Sequence, residues 1–296
     1  MPTSPAFDDV TVVIVTFNSA RTIVECVGTL PNGIRVIVVD NASTDGTCAL
    51  VEQARPDVEI VRNTVNEGYG FANNQGMALV KTDFGLILNP DTLVDGEALS
   101  HLMAAADRNP DAAMIAPLLL RPRGGFELPL MGPWEKNHHQ AQTEPDGDFC
   151  TWFLTGAALL CNMVAWKHVG GFDEAIFLYN EDADLALRFN ALGYSQIVTP
   201  LAKVPHVGGG SVPQTLRVRW LKDWHMTWSN YYFEGKYGGD PVARRAQARS
   251  SSFKSGLRAL LYVLLLNPKK VVGNAAKASA ARAYALEKPS TNRRPG

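Results

Sequence analysis

The sequence predicts a doubly wound, mostly parallel α/β sheet followed by a C-terminal helical extension. Three features predict it. Short β-branched runs alternate with helical segments through the first third of the chain, the pattern of a parallel sheet with helices on its faces. Two of those runs end close to a carboxylate, at Asp40 and Asp91, where open α/β sheets bind ligands beyond their strand ends. Past residue 240 the acidic residues all but vanish and long helical patterns take over.

The elements follow in order. Val10–Thr16 is a continuous β-branched run and reads as a buried strand. Ala20–Leu30 reads as a helix, and Arg35–Asp40 as a second buried strand. Ser43 or Thr44 can cap a helix running to about Ala54. Val58–Val61 is a short strand, Gly70–Val80 a helix and Phe84–Leu88 a strand. Asp95 can cap a helix to about Arg108, and Ala113–Ala116 is a further strand. Arg121–Phe149 carries Pro122, Gly124, Gly125, Pro129, Gly132, Pro133 and Pro145 and reads as a long loop. Trp152–Cys161 returns to a strand-like pattern, and Met163–Val169 is a short helix ended by Gly170 and Gly171. Glu181–Leu192 is a helix with Gly193 past its end. A helix from about Thr215 to Phe233 spaces Trp220, Trp224 and Trp228 one turn apart, as a core stripe or as an aromatic platform for an acceptor.

The chain has 296 residues, 46% hydrophobic and 19% charged, an ordinary composition for a soluble globular protein. Its net charge of -1 hides an asymmetry. Residues 1–240 hold 16 Lys and Arg against 28 Asp and Glu; residues 241–296 hold 12 against one, Glu287. Met1–Asp9 has no secretory pattern, and no run approaches the roughly 20 apolar residues of a membrane span. Cys26, Cys48, Cys150 and Cys161 show no metal-binding or CxxC spacing and are expected to be reduced, buried thiols. These features predict a cytoplasmic protein. In the tail, Phe253, Leu257, Leu260, Leu261 and Leu264 share one helical face flanked by Lys254 and Arg258, and Lys269, Lys270, Lys277 and Arg282 follow. The expectation is a peripheral protein docked on an anionic membrane face; the rival is packing on the catalytic domain or a second subunit. No nucleic-acid partner is expected, and the oligomeric state is open.

Five constellations can carry chemistry. Val38–Thr47 places Asp40 at a strand end, where it can accept from the imide N–H of uracil or thymine or simply form a turn. Leu88-Asn89-Pro90-Asp91-Thr92 puts a carboxylate after a buried strand, suited to a divalent cation that also grips a diphosphate, with Asn89 near the ribose or a bound water; a plain turn is the other reading. Phe177–Arg188 crowds Glu181, Asp182 and Asp184 at a helix start, as capping acids or around a general base; Asp184 and Arg188 form an i,i+4 pair. His206, before Val207 and three glycines, is a candidate metal or phosphate ligand. Asn66, Gly68 and Tyr69, with Asn73 and Asn74 in the helix beyond, can hold a nucleotide sugar or form an ordinary Asn/Gly turn. No strand is followed by GxGxxG, which disfavours a dehydrogenase.

The order of these motifs, from about Val10 to Gly239, resembles the family 2 inverting glycosyltransferases of the GT-A fold. The resemblance rests on Val15-Thr16-Phe17-Asn18, on Val39–Thr47, on Glu181-Asp182 and on His206. The acidic metal motif, often Asp-x-Asp in this family, stands here as Asn89-Pro90-Asp91, a form similar to the rhamnosyltransferase-type branch. Many relatives carry Arg-Asn where this chain has Asn73-Asn74. The resemblance implies a catalytic domain over residues 1–240, with a nucleotide-binding half (about 1–118) and an acceptor half (about 119–240); charge and helical pattern make residues 241–296 a basic amphipathic tail. It implies nucleotide-sugar contacts from Thr16, Phe17, Asn18, Asp40, Asn66, Gly68, Tyr69, Asn74 and Asn89. It assigns Mg2+ or Mn2+ to Asp91 and His206 and the base to Asp182, beside Glu181. The implied reaction moves a sugar, rhamnose from dTDP-rhamnose first and a UDP-sugar second, to a glycan or lipid-linked glycan acceptor in cell-surface polysaccharide assembly. A non-catalytic sugar-nucleotide or glycan-binding module is the rival.

Overall fold

A computed structural model describes residues 7–127, 143–206 and 215–290. They form two compact units, one of Met1–Phe172 with Asp182–Ser211 and one of Asp173–Glu181 with Val212–Gly296.

In the first unit, β1 (Val10–Thr16), α1 (Ile23–Thr29), β2 (Arg35–Asp40), α2 (Thr47–Ala54), β3 (Glu59–Arg62), α3 (Tyr69–Ala78), β4 (Phe84–Leu88) and α4 (Gly96–Arg108) alternate in sequence. Next come β5 (Ala112–Leu120), β6 (Phe126–Glu127), β7 (Phe149–Cys150), β8 (Ala158–Asn162), α5 (Met163–Val169), α6 (Glu181–Ala191) and β9 (Ser195–Pro205). The sheet order is β3-β2-β1-β4-β8-β5-β9-β7, with β6 on β5. β1 to β4, β5 and β9 run one way, and β8 inserts antiparallel between β4 and β5. This is the doubly wound, mostly parallel α/β sheet of the GT-A type.

Every residue of β1 is buried, because helices cover both faces. The pleat sends Val12 and Ile14 into one apolar cluster with Leu86, Leu99 and Leu102, and Val13 into another with Ile87, Met77 and Phe189. α3 lies so close to the sheet that a Cβ added at Gly76 would collide with the Val13 side chain.

The structure departs from the sequence expectations at several points. α2 starts at Thr47 behind Gly46, whose φ of +87° suits glycine, and neither Ser43 nor Thr44 caps it. The Ser43 hydroxyl instead accepts from the Asn18 N–H, and the Thr44 N–H donates to Asn18 Oδ1. Trp152–Cys161 is strand only from Ala158, because Gly156 and Ala157 form a turn first. β9 is an additional strand: Pro200 interrupts its pattern, and the pairing with β5 absorbs it as a register shift between Pro117 and Leu118. Of the expected loop at 121–149, residues 128–142 lie outside the described residues. Cys26 and Cys161 are buried, and burial pushes both thiols up; Cys48 is half-buried and Cys150 exposed, so the four thiols are not uniformly buried.

The second unit contains α7 (Leu216–Tyr237), α8 (Pro241–Leu264) and α9 (Pro268–Ala285). Caps from Thr215, Asp240 and Asn267 start the three helices. Small residues let them approach closely: Ala248 packs with Ala281 and Ala285 under Tyr231 and Tyr284. Trp228 is buried, stacks on Tyr232 and donates from its indole to the Lys288 carbonyl. The segment Asp173–Glu181 lies along α7. There Ser229 donates to the Leu178 carbonyl at 2.8 Å, Asn180 donates to Asn230, and Asp173 receives both Tyr232 and Lys236.

Candidate active site

The carboxyl ends of β1 and β2 build the first corner of the site. Thr16 and Asp40 are register partners, and the Thr16 hydroxyl donates to Asp40 Oδ1 at 2.8 Å. The Ser43 N–H donates to Asp40 Oδ2 at 2.9 Å. A carboxylate offers about four acceptor positions, so Asp40 is oriented by these bonds and keeps capacity for a base imide. Asn18 sits in a left-handed conformation, φ +52°, which its short polar side chain tolerates. Phe17 beside it is exposed.

The Asn66–Tyr69 turn hangs on Asn41. Asn41 Nδ2 donates to the Gly68 carbonyl, and Asn66 Oδ1 accepts from the Gly68 N–H at 3.0 Å. Gly68 has a φ of +91°, a conformation that favours glycine. Tyr69 and Asn74 spend their polar groups inside the unit. The Tyr69 hydroxyl donates to the Gly156 carbonyl at 2.6 Å. Asn74 donates to the Phe172 carbonyl and accepts from the Phe172 N–H. Asn41 and Gly156 carry no local signal of this role: Asn41 lies in the Val38–Thr47 turn and Gly156 in a strand-like run.

The second corner joins residues far apart in sequence. Antiparallel pairing of β4 with β8, Leu88 opposite Ala158, sets Asn89-Pro90-Asp91 beside Gly156-Ala157. The Asn89 N–H donates to the Ala157 carbonyl at 2.9 Å. One peptide earlier, the Gly156 N–H donates to the Asp182 carboxyl at the start of α6. A short run of backbone bonds therefore connects the Asp91 turn to Asp182. Burial pushes the Asp182 carboxyl up to about 6, opposed by N–H donors from Ala183 and Gly156. Asp184 is fully buried and ion-paired with Arg188 at 2.7 Å, which also holds the Val169 carbonyl, so that pair is structural.

Across the same strand ends, His206 closes β9. It bridges Thr92, and its N–H donates to the Leu120 carbonyl. These bonds bring His206 Nε2 within 3.7 Å of Asp91 Oδ1, and Asp91 is buried. The two candidate cation ligands thus share one spot. Among the described residues no group of three His, Cys, Asp or Glu side chains converges there or elsewhere. One carboxylate and one imidazole fit a hard cation only if a substrate diphosphate and water supply the other positions, which is how Mg2+ is commonly held. Gly208–Ser211, the glycine run after His206, lies outside the described residues.

Glu181, next to Asp182, is buried. Burial, with the charges of Glu181 and Asp223, pushes the Tyr179 phenol up to about 12. Tyr179 and Asn180 both have left-handed backbones, φ +71° and +66°, a strained pair immediately before the acids.

A family model described as glycosyl transferase family 2 matches residues 11–164. The chain belongs to glycosyl transferase family 2. It is 31% identical over 204 residues to N-acetylglucosaminyl-diphospho-decaprenol L-rhamnosyltransferase of Mycobacterium tuberculosis, a match covering 58% of this chain and 66% of that relative, just under two thirds of its length. It is 27% identical to the succinoglycan biosynthesis protein ExoO of Rhizobium meliloti, covering 95% of this chain and 85% of that one. Its fold matches the mannosyltransferase PcManGT of Pyrobaculum calidifontis, solved with GDP-Man and Mn2+, with a TM-score of 0.54 at 17% identity over 94% of this chain and 87% of that chain.

Proposed function

We propose that this family 2 chain is an inverting glycosyltransferase that moves a sugar from a nucleotide donor to an acceptor hydroxyl in cell-surface polysaccharide assembly. The observation that carries the mechanism is the backbone link from the Asp91 turn through Ala157 and Gly156 to Asp182. It keeps a candidate diphosphate-binding carboxylate and a candidate base in one frame. The mycobacterial relative supports a rhamnosyl donor, and its decaprenol-linked substrate supports a lipid-linked acceptor. dTDP-rhamnose is therefore the first donor to test and a UDP-sugar the second.

Asp40, oriented by Thr16 and Ser43, receives the base imide, and Asn18 with exposed Phe17 borders the ribose. Asp91 and His206 would hold Mg2+ or Mn2+, which when bound neutralises charge on the departing nucleoside diphosphate. Asn89 lies two residues before Asp91. The Asp182 carboxylate takes the proton of the acceptor hydroxyl. The acceptor oxygen bonds to the anomeric carbon as the bond to the diphosphate breaks. A single displacement of this kind inverts the anomeric centre. A base poised near pH 6 is ionised at neutral pH yet still basic enough to accept that proton. Residues 1–240 would hold this chemistry and 241–296 would form an accessory tail.

The decisive experiment is a donor panel scored by nucleoside diphosphate release, run on wild type and Asp182→Asn. Transfer is expected to fall by at least about 10²-fold with donor affinity retained. Wild-type turnover in the folded variant would remove Asp182 from the mechanism. Donor binding without turnover in the wild type, with any acceptor, would favour the non-catalytic module.

A further inference from the structure

The inner face of α8 is made of small residues and its outer face of large apolar ones. Ala248, Ser255 and Ala259 are buried, and Ser252 Oγ donates to the Ala278 carbonyl of α9. Phe253, Leu257, Leu260, Leu261, Leu264 and Leu266 point outward, with Phe253 75%, Leu264 80% and Leu266 89% exposed. Burial favours the opposite arrangement in a helix that has completed its packing. Leucines clustered at the α8–α9 turn form a contiguous apolar tip, which soluble surfaces avoid unless something covers it.

The surrounding charge says what covers it. Residues 241–286 contain no Asp or Glu. Lys254 and Arg258 flank the leucine face, and Lys269 and Lys270 stand just past the tip, the latter with its ammonium 4.9 Å from the Tyr262 ring. A second copy of the chain seated on this face by two-fold symmetry would set these cations against their own equivalents. An anionic lipid surface meets both features at once. No helix of the described residues is long and apolar enough to cross a bilayer, so the element lies in the surface rather than through it.

We propose that the outer face of α8 and the α8–α9 turn form a docking surface for an anionic lipid bilayer. Leu264–Leu266 with Phe253, Leu257, Leu260 and Leu261 sink about 5–10 Å into the headgroup boundary. Lys254, Arg258, Lys269 and Lys270 meet anionic headgroups. The inference goes beyond glycosyl transfer and does not depend on it.

Flotation of the full chain tests it, on vesicles of phosphatidylcholine alone and of phosphatidylcholine with phosphatidylglycerol. Binding is expected on the anionic vesicles, weakening as salt shrinks the Debye length from about 10 Å at 0.1 M to about 3 Å at 1 M. Lys269→Ala/Lys270→Ala should lower partitioning roughly thirty-fold. Leu260→Ser/Leu264→Ser, both on the outer face, should abolish it without changing the helical circular dichroism. No binding at low salt, or equal binding to both vesicle types, overturns the proposal. So does a dimer in sedimentation velocity that the leucine variant splits while vesicles bind neither form.

Discussion

A carboxylic acid becomes a useful base at neutral pH only when its surroundings raise its proton affinity without removing its access. Asp182 sits under that condition: burial raises it from 3.8 to about 6, and three backbone N–H groups, its own among them, hold it back from rising further. Below that value the carboxyl is protonated and cannot take the acceptor proton. The pH profile of kcat/KM should therefore climb to a plateau above about 6, and Asp182→Asn should abolish that limb along with most of the rate. The same group acts on stability with the opposite sign to a salt-bridged acid. Between about 4 and 6 the folded state binds a proton that the unfolded chain does not, so its contribution weakens as pH rises through that window. Asp182→Asn should accordingly be more stable than wild type at pH 7.5, read as a higher midpoint in denaturant titration. Equal stability would mean that Asp182 is not buried at this cost. Tyr69 tests the frame around the base. Tyr69→Phe removes the donor to the Gly156 carbonyl and should cost about 1 kcal/mol of stability. Its rate should fall more than tenfold relative to donor KM only if the Gly156 peptide positions Asp182.

At the scale of elements, the segment Asp173–Glu181 and α7 behave as one clamped piece. Tyr179 and Asn180 hold left-handed backbones there because Ser229 and Asn230 fix the flanking peptide and amide. Trp228 is the anchor of that helix, buried and bonded through its indole. Trp228→Ala should destabilise the second unit by about 3–5 kcal/mol, read as a lower denaturant midpoint. A loss under about 1 kcal/mol would return the tryptophan stripe to the acceptor-platform reading. This helix also shows what a sequence reveals and what it withholds. Val10–Thr16, Arg35–Asp40 and Phe84–Leu88 were legible as buried strands because both faces of each must be apolar. Asp95 was legible as a cap because its side chain answers a local need, the Ala98 N–H. β9 was not legible, since Pro200 reads as a break unless the partner strand shifts register to receive it. Ser43 and Thr44 misled because a capping residue and a residue tied to Asn18 look alike until the chain has folded. Gly156 was invisible for the same reason. Its two bonds, to Tyr69 and to Asp182, are contacts that local periodicity does not encode.

Over the whole chain, the candidate site exists only in the folded state. It draws on Thr16 and Asp40 early in the sequence of the first unit and on Asp182 and His206 late in it, and pairing of β4 with β8 and of β5 with β9 closes the distance. A ligand of that site cannot bind the unfolded chain, so its affinity must appear as stability, about 2.7 kcal/mol at a hundredfold excess over Kd. The Asp91–His206 pair makes a sharper demand. Two protein ligands hold a hard cation poorly by themselves, and a diphosphate without a cation meets the Asp91 carboxylate as a like charge. Binding of the two should therefore be cooperative, each tightening the other by the same factor. We expect dTDP or UDP with Mg2+ or Mn2+ to raise Tm well beyond the sum of the separate effects, and EDTA to erase the excess along with the activity. Asp91→Ala should lose the cooperative part while keeping the smaller metal-free shift that Asp40 and the β1 end provide. Calorimetric titration of each nucleotide with and without metal measures that factor directly. If the metal leaves nucleotide affinity unchanged, or sharpens it equally in Asp91→Ala, the pair is a structural tie between the Asp91 turn and the end of β9, and the cation is held elsewhere or not at all.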